Sequence, residues 1–261
     1  MDNDLKRLKS TNYLESKGFS LEVTKDGSPT LRWGQGESMH HSGGAASETV
    51  YIYGYALEKY LKLQMPSNEL VVMSMGFGLG YNEILTVVWY LLNQDQLPKI
   101  KIVSYEKEAF LYHEFGLWLE NRDTPLYEIY EEVLKSVTKL LSSSDSRISD
   151  DLTFQKHIKK NLLDFRKQQQ WIQEDAVTSQ TNFVDQFNIF LFDAFSNKST
   201  PDLWSTDFLV KLLSGHSKKP CVFATYACRG ELKRVLISCG FAFEKRKGFL
   251  GKRDATCAVL I

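Results

Sequence analysis

The sequence has no apolar run long enough to cross a bilayer, since its longest, from Ile84 to Leu92, falls far short of the ~20 residues that a spanning helix needs. No membrane partner is expected. The opening stretch Met1-Asp2-Asn3-Asp4-Leu5-Lys6-Arg7 lacks the apolar segment of a signal peptide, so a cytoplasmic location is expected. Charge of one sign is not in excess either: Lys plus Arg and Asp plus Glu both total 32, so any polyanionic partner must meet a local patch. The four cysteines, Cys221, Cys228, Cys239 and Cys257, lack the close pairing of zinc or redox motifs and read as reduced, partly buried thiols. Five histidines include His40-His41 but no helical HExxH arrangement, and no metal is expected. What is present, 43% hydrophobic and 25% charged residues over 261 positions, fits a globular chain of one domain or one domain with an embellishment.

The first part of the chain, through about Gly54, is short on helix signals. Alternating runs at Phe19 to Val23 and Thr30 to Trp33 flank Lys25-Asp26-Gly27-Ser28-Pro29, which predicts a β-hairpin. A loop rich in small residues follows, Gly36 to Ser47, and then Glu48 to Tyr53, extended or early helical. Residues 1–66 are thus expected to form a β-rich extension before a main domain at 67–261. From Leu70, short apolar runs alternate with amphipathic stretches: strands at Leu70 to Met75 and Ile100 to Tyr105, helices at Tyr81 to Leu92 and Ala109 to Glu120. That alternation predicts βαβ units and a parallel sheet. A charged, Ser-rich stretch at about 124–170 reads as a helical insertion with a loop at Ser142 to Ser146. Alternation resumes at Trp171-Ile172, Asn188 to Phe192, Ser205 to Ser214, Cys221 to Tyr226 and Gly230 to Cys239. It closes with strands at Ala242 to Arg246 and Thr256 to Ile261 around the turn Gly248 to Gly251. The expected class is α/β, a Rossmann-like sheet, mostly parallel with a C-terminal antiparallel hairpin, as in class I methyltransferases.

The strand Val71 to Met75 runs into Gly76-Phe77-Gly78-Leu79-Gly80 before a helix. Glycine tolerates positive φ and lets backbone approach a ligand, and the following helix start offers free N–H groups, so Gly76, Gly78 and Gly80 read as a nucleotide-type cradle. Tyr81 stands where a dinucleotide fingerprint has its third glycine, which favours a cofactor without a pyrophosphate. Glu106 follows the second strand, where an open α/β sheet offers a carboxylate to ribose hydroxyls. The competing reading is a solvated helix-start acid favoured by the dipole. Asp175, just after Trp171-Ile172, is placed to accept from the exocyclic amine of adenine, or to cap a helix. Asp193 ends the apolar run Phe190-Leu191-Phe192 and so emerges at the carboxyl edge of the sheet, the ligand side.

Together these segments resemble the MnmC-like methyltransferases. Gly76-Phe77-Gly78-Leu79-Gly80-Tyr81-Asn82, Ser104-Tyr105-Glu106-Lys107, Asp193-Ala194-Phe195-Ser196 with Pro201-Asp202-Leu203-Trp204, Ala224-Thr225-Tyr226, Glu244 to Phe249 and Gly251-Lys252-Arg253 occur in that family's order. Glu37-Ser38-Met39-His40, Gly44-Ala45 and Glu48 resemble its N-terminal segment. The resemblance implies S-adenosylmethionine as cofactor, held by Gly76, Phe77, Gly78, Gly80, Asn82, Glu106, Asp175 and Asp193. It also implies methylation of 5-aminomethyl-2-thiouridine at the wobble position of tRNA, with the anticodon region as partner. Because the chain ends with the methyltransferase, it looks like the free-standing form, needing no flavin and working beside a separate flavin-dependent tRNA-modifying enzyme. Ser74, Leu79 and Asn197 depart from the family's usual acid, threonine and proline.

Methyl transfer from a sulfonium to an amine is an in-line displacement, so the protein mainly supplies alignment. Asp193 is the expected catalytic residue, holding the amine first and taking its proton second, with a low pKa because both ligands are cationic. Lys245, Arg246, Lys247, Lys252 and Arg253 flank the terminal turn and are the expected RNA phosphate contacts. A methyltransferase of another amine or small molecule, and a non-catalytic RNA-binding relative, are the competing readings.

Overall fold

The computed structural model describes residues 2–63, 68–251 and 254–261, with side chains from residue 8 onward. The boundary expected between residues 66 and 67 lies outside the described residues, as do Lys252 and Arg253. The run around Leu70 to Met75 forms β3 (Glu69–Met75), and its side chains alternate between two cores as strand geometry requires. Leu70 and Val72 pack into one apolar layer; Val71, Met73 and Met75 pack into the other. β3 therefore lies inside the sheet. On one side it pairs in parallel with β4 (Lys99–Tyr105), which pairs with β5 (Trp171–Glu174), and on the other with β6 (Phe187–Phe192). β6 continues in parallel to β7 (Ser217–Thr225), and β9 (Ala255–Leu260) and β8 (Ala242–Arg246) complete the sheet antiparallel, in the order β5-β4-β3-β6-β7-β9-β8. The direction of winding reverses at β3 and β6, so a crevice opens at their carboxyl ends.

One face of the sheet is covered by α3 (Tyr55–Leu61), α4 (Tyr81–Asn93), α5 (Ala109–Leu119), α6 (Tyr127–Ser142) and α7 (Leu152–Lys167). α8 (Thr206–His216) and α9 (Gly230–Ser238) cover the other. The expected insertion is helical: α6 and α7 are joined by a Ser-rich loop, and the Asp151 carboxylate caps α7 by accepting from the Phe154 N–H. Among the described residues no helix is long and apolar enough to cross a membrane.

The N-terminal region departs from the reading as a strand-rich extension. Its hairpin is present as β1 (Phe19–Val23) and β2 (Pro29–Trp33), but α1 (Asp2–Ser16) precedes it. α2 (Ala45–Thr49), a π-helical turn (Val50–Gly54) and α3 follow it as one helical stretch. α1 carries no broad apolar stripe, so no helical periodicity marks it in the sequence. Among its described side chains Leu14 is buried, Tyr13 donates to Glu114 at 2.7 Å and meets the Phe110 ring, Ser10 donates to the Pro125 carbonyl and Lys9 pairs with Asp123. Tyr81 explains its own departure from the dinucleotide pattern, since its buried ring meets His40 and its hydroxyl donates to the Pro29 carbonyl at 2.7 Å, tying α4 to the hairpin.

Candidate active site

The crevice at the ends of β3, β4 and β6 is a cavity whose outer wall comes from the N-terminal region, through Trp33, Glu37, Met39, His40, His41 and Glu48. Its floor is the glycine loop. Gly76 and Gly78 both have positive φ, +86° and +54°, and a Cβ on Gly76 would lie 2.7 Å from the Asp193 carbonyl oxygen. Only glycine allows the loop to pass that close to β6. Gly80 does another job: at φ +81° it starts α4, and a Cβ there would strike the Phe115 ring at 2.7 Å, so it packs the helix rather than facing the cavity. The Phe77 ring is likewise core, within 4.6 Å of Tyr112 and 5.2 Å of Phe115 between ring centres, leaving its backbone at the cavity.

Glu106 sits at the cavity and accepts three backbone hydrogen bonds, from Gly78 at 2.9 Å, Lys107 at 2.7 Å and Glu108 at 2.9 Å. These bonds lock the glycine loop to the end of β4. Burial raises its proton affinity against the pull of those N–H groups. Each carboxylate oxygen has two acceptor directions; Oε1 is filled by Lys107 and Glu108, so one direction on Oε2 remains for a hydroxyl. Asp175 is not brought in. Its side chain is exposed, and its neighbours Ala176 and Val177 line the cavity in its place, because the chain after β5 runs along the rim.

Asp193 arrives where the apolar strand predicted, in the cavity, with its backbone N–H on the Met75 carbonyl at 2.9 Å. Asn82, from the first turn of α4, donates Nδ2 to Asp193 Oδ2 at 3.2 Å. The buried Asn82 Oδ1 has no hydrogen-bond partner among the described residues, and Asn82 lines the same site. The low pKa is expected with both cationic ligands in place; in the free protein burial and the nearby Glu48 charge push Asp193 up to about 7, against the Tyr53 hydroxyl and Asn82, which favour its anion. Counting the cationic ligands alone leaves out a second buried carboxylate. Glu48 is 7% exposed and accepts from the His41 N–H at 2.7 Å. Glu37 accepts from the Ser196 N–H at 3.2 Å and Ser199 Oγ at 3.0 Å, which anchors the loop after Asp193. Tyr226 steadies the same loop by donating to the Ala194 carbonyl at 3.0 Å. Glu37, Glu48 and Tyr226 lie inside the family-like motifs, but no spacing pattern assigns them to a cavity.

The Ser74 departure has a local counterpart. Ser74 is buried beside Glu83 of α4, whose carboxyl accepts from Ser104 Oγ at 2.6 Å, and burial pushes Glu83 up to about 7. A carboxyl group of α4 thus stands next to position 74. Asn197 is exposed on the loop that Glu37 anchors, and Leu79 is buried.

The five-cation hairpin is only partly as expected. Lys245 pairs with Asp254 at 2.7 Å, and the Arg246 guanidinium lies 3.6 Å from the Tyr55 ring centre and donates to the Tyr51 carbonyl. Lys247 is exposed.

This sheet order and glycine loop are those of the class I methyltransferase fold, and a family model described as S-adenosyl-L-methionine-dependent methyltransferase matches residues 153–261, less than half of the chain. Two curated relatives are tRNA 5-methylaminomethyl-2-thiouridine biosynthesis bifunctional proteins MnmC. That of Campylobacter hominis is 28% identical over 207 residues, covering 79% of this chain and 27% of that protein. The Burkholderia mallei protein is 25% identical over 231 residues, covering 84% and 32%. The chain therefore spans about a third or less of these relatives' length. The solved structure of MnmC2 from Aquifex aeolicus shares the fold at TM-score 0.64 and 19% identity, covering 94% of this chain and 70% of that one. The chain is thus similar to MnmC-like, S-adenosylmethionine-dependent methyltransferases in its C-terminal part and shares their fold.

Proposed function

We propose that the protein methylates the primary amine of 5-aminomethyl-2-thiouridine at the wobble position of tRNA. The observation that carries this reading is the charge of the cavity. Glu37, Glu48, Glu106, Glu108 and Asp193 line it, with Lys107 as the single Lys or Arg among the described lining residues, and the Lys107 ammonium lies over the Trp33 ring at 5.2 Å. Such a site favours cations, and both a sulfonium and an alkylammonium are cations.

The residues fit the cofactor. The positive-φ glycines leave room for a ligand against backbone, Glu106 Oε2 keeps one acceptor direction for a ribose hydroxyl, and Asn82 Oδ1 is a buried acceptor awaiting a donor. S-adenosylmethionine supplies an electrophilic methyl group on a cationic sulfur. Asp193 then has two tasks, to hold the amine in line and to share its proton. An ammonium beside an ionised Asp193 and a free amine beside a protonated Asp193 are two forms of one charge state. With an ordinary carboxyl, the free-amine form is disfavoured by about six powers of ten, taking an alkylammonium pKa of ~10. The burial that raises the proton affinity of Asp193 narrows that gap. Burial disfavours the ionic form, so the nitrogen lone pair becomes available without a strong base.

The partner is the tRNA anticodon region, met by Lys247 and Arg246 on the described part of the hairpin, with Lys245, Lys252 and Arg253 close by in the sequence. A separate flavin-dependent enzyme would prepare the aminomethyl group, and this chain needs neither flavin nor metal of its own. The test is nucleoside mass analysis of hypomodified tRNA incubated with the pure protein and methyl-labelled cofactor. Label in 5-methylaminomethyl-2-thiouridine is expected; label only in a small-molecule amine would transfer the site to the competing methyltransferase reading.

A further inference from the structure

Beside the cavity lies an aromatic rim that methyl transfer does not use. The His41 ring, which lines the cavity, stands edge-on against Phe249 with centres 5.7 Å apart and planes at 89°. Tyr51 leans on the same ring from another side at 6.0 Å and 48°. We propose that Phe249, backed by Tyr51 and His41, is a stacking platform for the nucleobase next to the wobble nucleotide in a single-stranded stretch of the substrate RNA. This inference rests on the tRNA reading above.

The rim is built to hold its shape. Tyr51 donates its hydroxyl to the Lys247 carbonyl at 2.9 Å, and Arg246 returns a hydrogen bond to the Tyr51 carbonyl at 3.1 Å while its guanidinium covers the Tyr51 ring at 4.8 Å. Gly43 lets the hairpin tip come down on the cavity wall, since a Cβ there would lie 2.4 Å from Leu250 Cδ1. Leu250 itself adopts φ +47°, a conformation that side-chain-bearing residues rarely take, and remains 66% exposed. An exposed apolar residue in a left-handed turn adds nothing to the core. It does extend the apolar surface next to Phe249.

A base that enters a closed pocket must leave its stack, and its neighbours lose a stacking partner with it. Aromatic faces replace that contact for any base. Arg246 and Lys247, on the same hairpin, supply positive charge for the intervening phosphate.

The experiment compares binding of an anticodon stem-loop RNA carrying 5-aminomethyl-2-thiouridine to wild type, Phe249→Ala and Phe249→Trp, by fluorescence anisotropy. The same RNA is then used with an abasic nucleotide placed in turn on each side of the wobble position. Phe249→Ala should weaken binding about tenfold and Phe249→Trp should restore it, in line with alanine substitutions at base-stacking aromatics. One of the abasic RNAs should weaken wild type equally and show no further loss with Phe249→Ala. Titration of S-adenosylhomocysteine checks that each variant keeps a folded cavity. Equal binding by wild type and Phe249→Ala, or an equal loss on intact and both abasic RNAs, overturns the platform and leaves the tRNA reading standing. Failure of wild type to bind the RNA while it binds S-adenosylhomocysteine overturns both.

Discussion

Replacing Asp193 by Asn should make the free protein more stable at alkaline pH and nearly inactive. The wild-type carboxyl binds its proton more tightly when folded, near pH 7, than when unfolded, near the ordinary carboxylate value. Stability supplied by that proton is present at low pH and is lost as the pH rises from about 4 to about 7, because over that window the folded state binds more protons than the unfolded one. At 1.36 kcal/mol per pH unit, the two units between pH 5 and pH 7 correspond to about 2–3 kcal/mol, and nothing further changes up to pH 8. The amide of the variant has no proton to lose, and it keeps the size and part of the hydrogen bonding toward Tyr53 and Asn82. The stability difference between Asp193→Asn and wild type should therefore move by about 2–3 kcal/mol in favour of the variant from pH 5 to pH 8. Urea unfolding of both proteins at the two pH values, without ligand, reads it directly, and contributions from carboxyl groups not coupled to Asp193 cancel in the difference. Single-turnover methylation of hypomodified tRNA should fall ~10²-fold or more, the weight of a positioned acid–base group. Parallel stability profiles for the two proteins would refute the burial argument; near-wild-type turnover would refute the catalytic one.

Gly78→Val should abolish binding of S-adenosylhomocysteine in calorimetry, because the position is at φ +54° and a Cβ already stands 3.3 Å from Met39 Sδ, so a branched side chain fills the cavity floor. Glu48→Gln removes the like charge that raises Asp193, so the acidic limb of the methylation pH profile should move to lower pH. Lys247→Glu should weaken tRNA binding at low salt and reduce the slope of log affinity against log salt by about one, with cofactor affinity retained; an unchanged slope would remove Lys247 from the phosphate contacts.

The sheet and the place of the chemistry are legible in the chain before it folds. Strands buried on both faces read as apolar runs, their alternation with helices fixes a parallel sheet, and a parallel sheet presents its ligand side at the carboxyl ends of its strands. Gly76, Gly78, Glu106 and Asp193 could be placed at that edge from their position after such runs, and the structure brings all four to one cavity. Asn82 joins them through the glycine-loop motif. Folding alone settles whatever depends on neighbours distant in the chain. Asp175 follows a strand as Glu106 does, yet it is exposed to solvent, because strand order says nothing about the course of the loop beyond it. Gly80 and Phe77 belong to the same motif as Gly78 and pack instead against Phe115 and Tyr112. α1 leaves no periodic trace, and among its described side chains Leu14 and Tyr13 meet partners distant in the chain. The proton affinity of Asp193 is the clearest case. A carboxyl group's charge is a property of the residue, whereas the cost of that charge is set by burial and by Glu48, 145 positions earlier in the chain, and both exist only once the chain has folded.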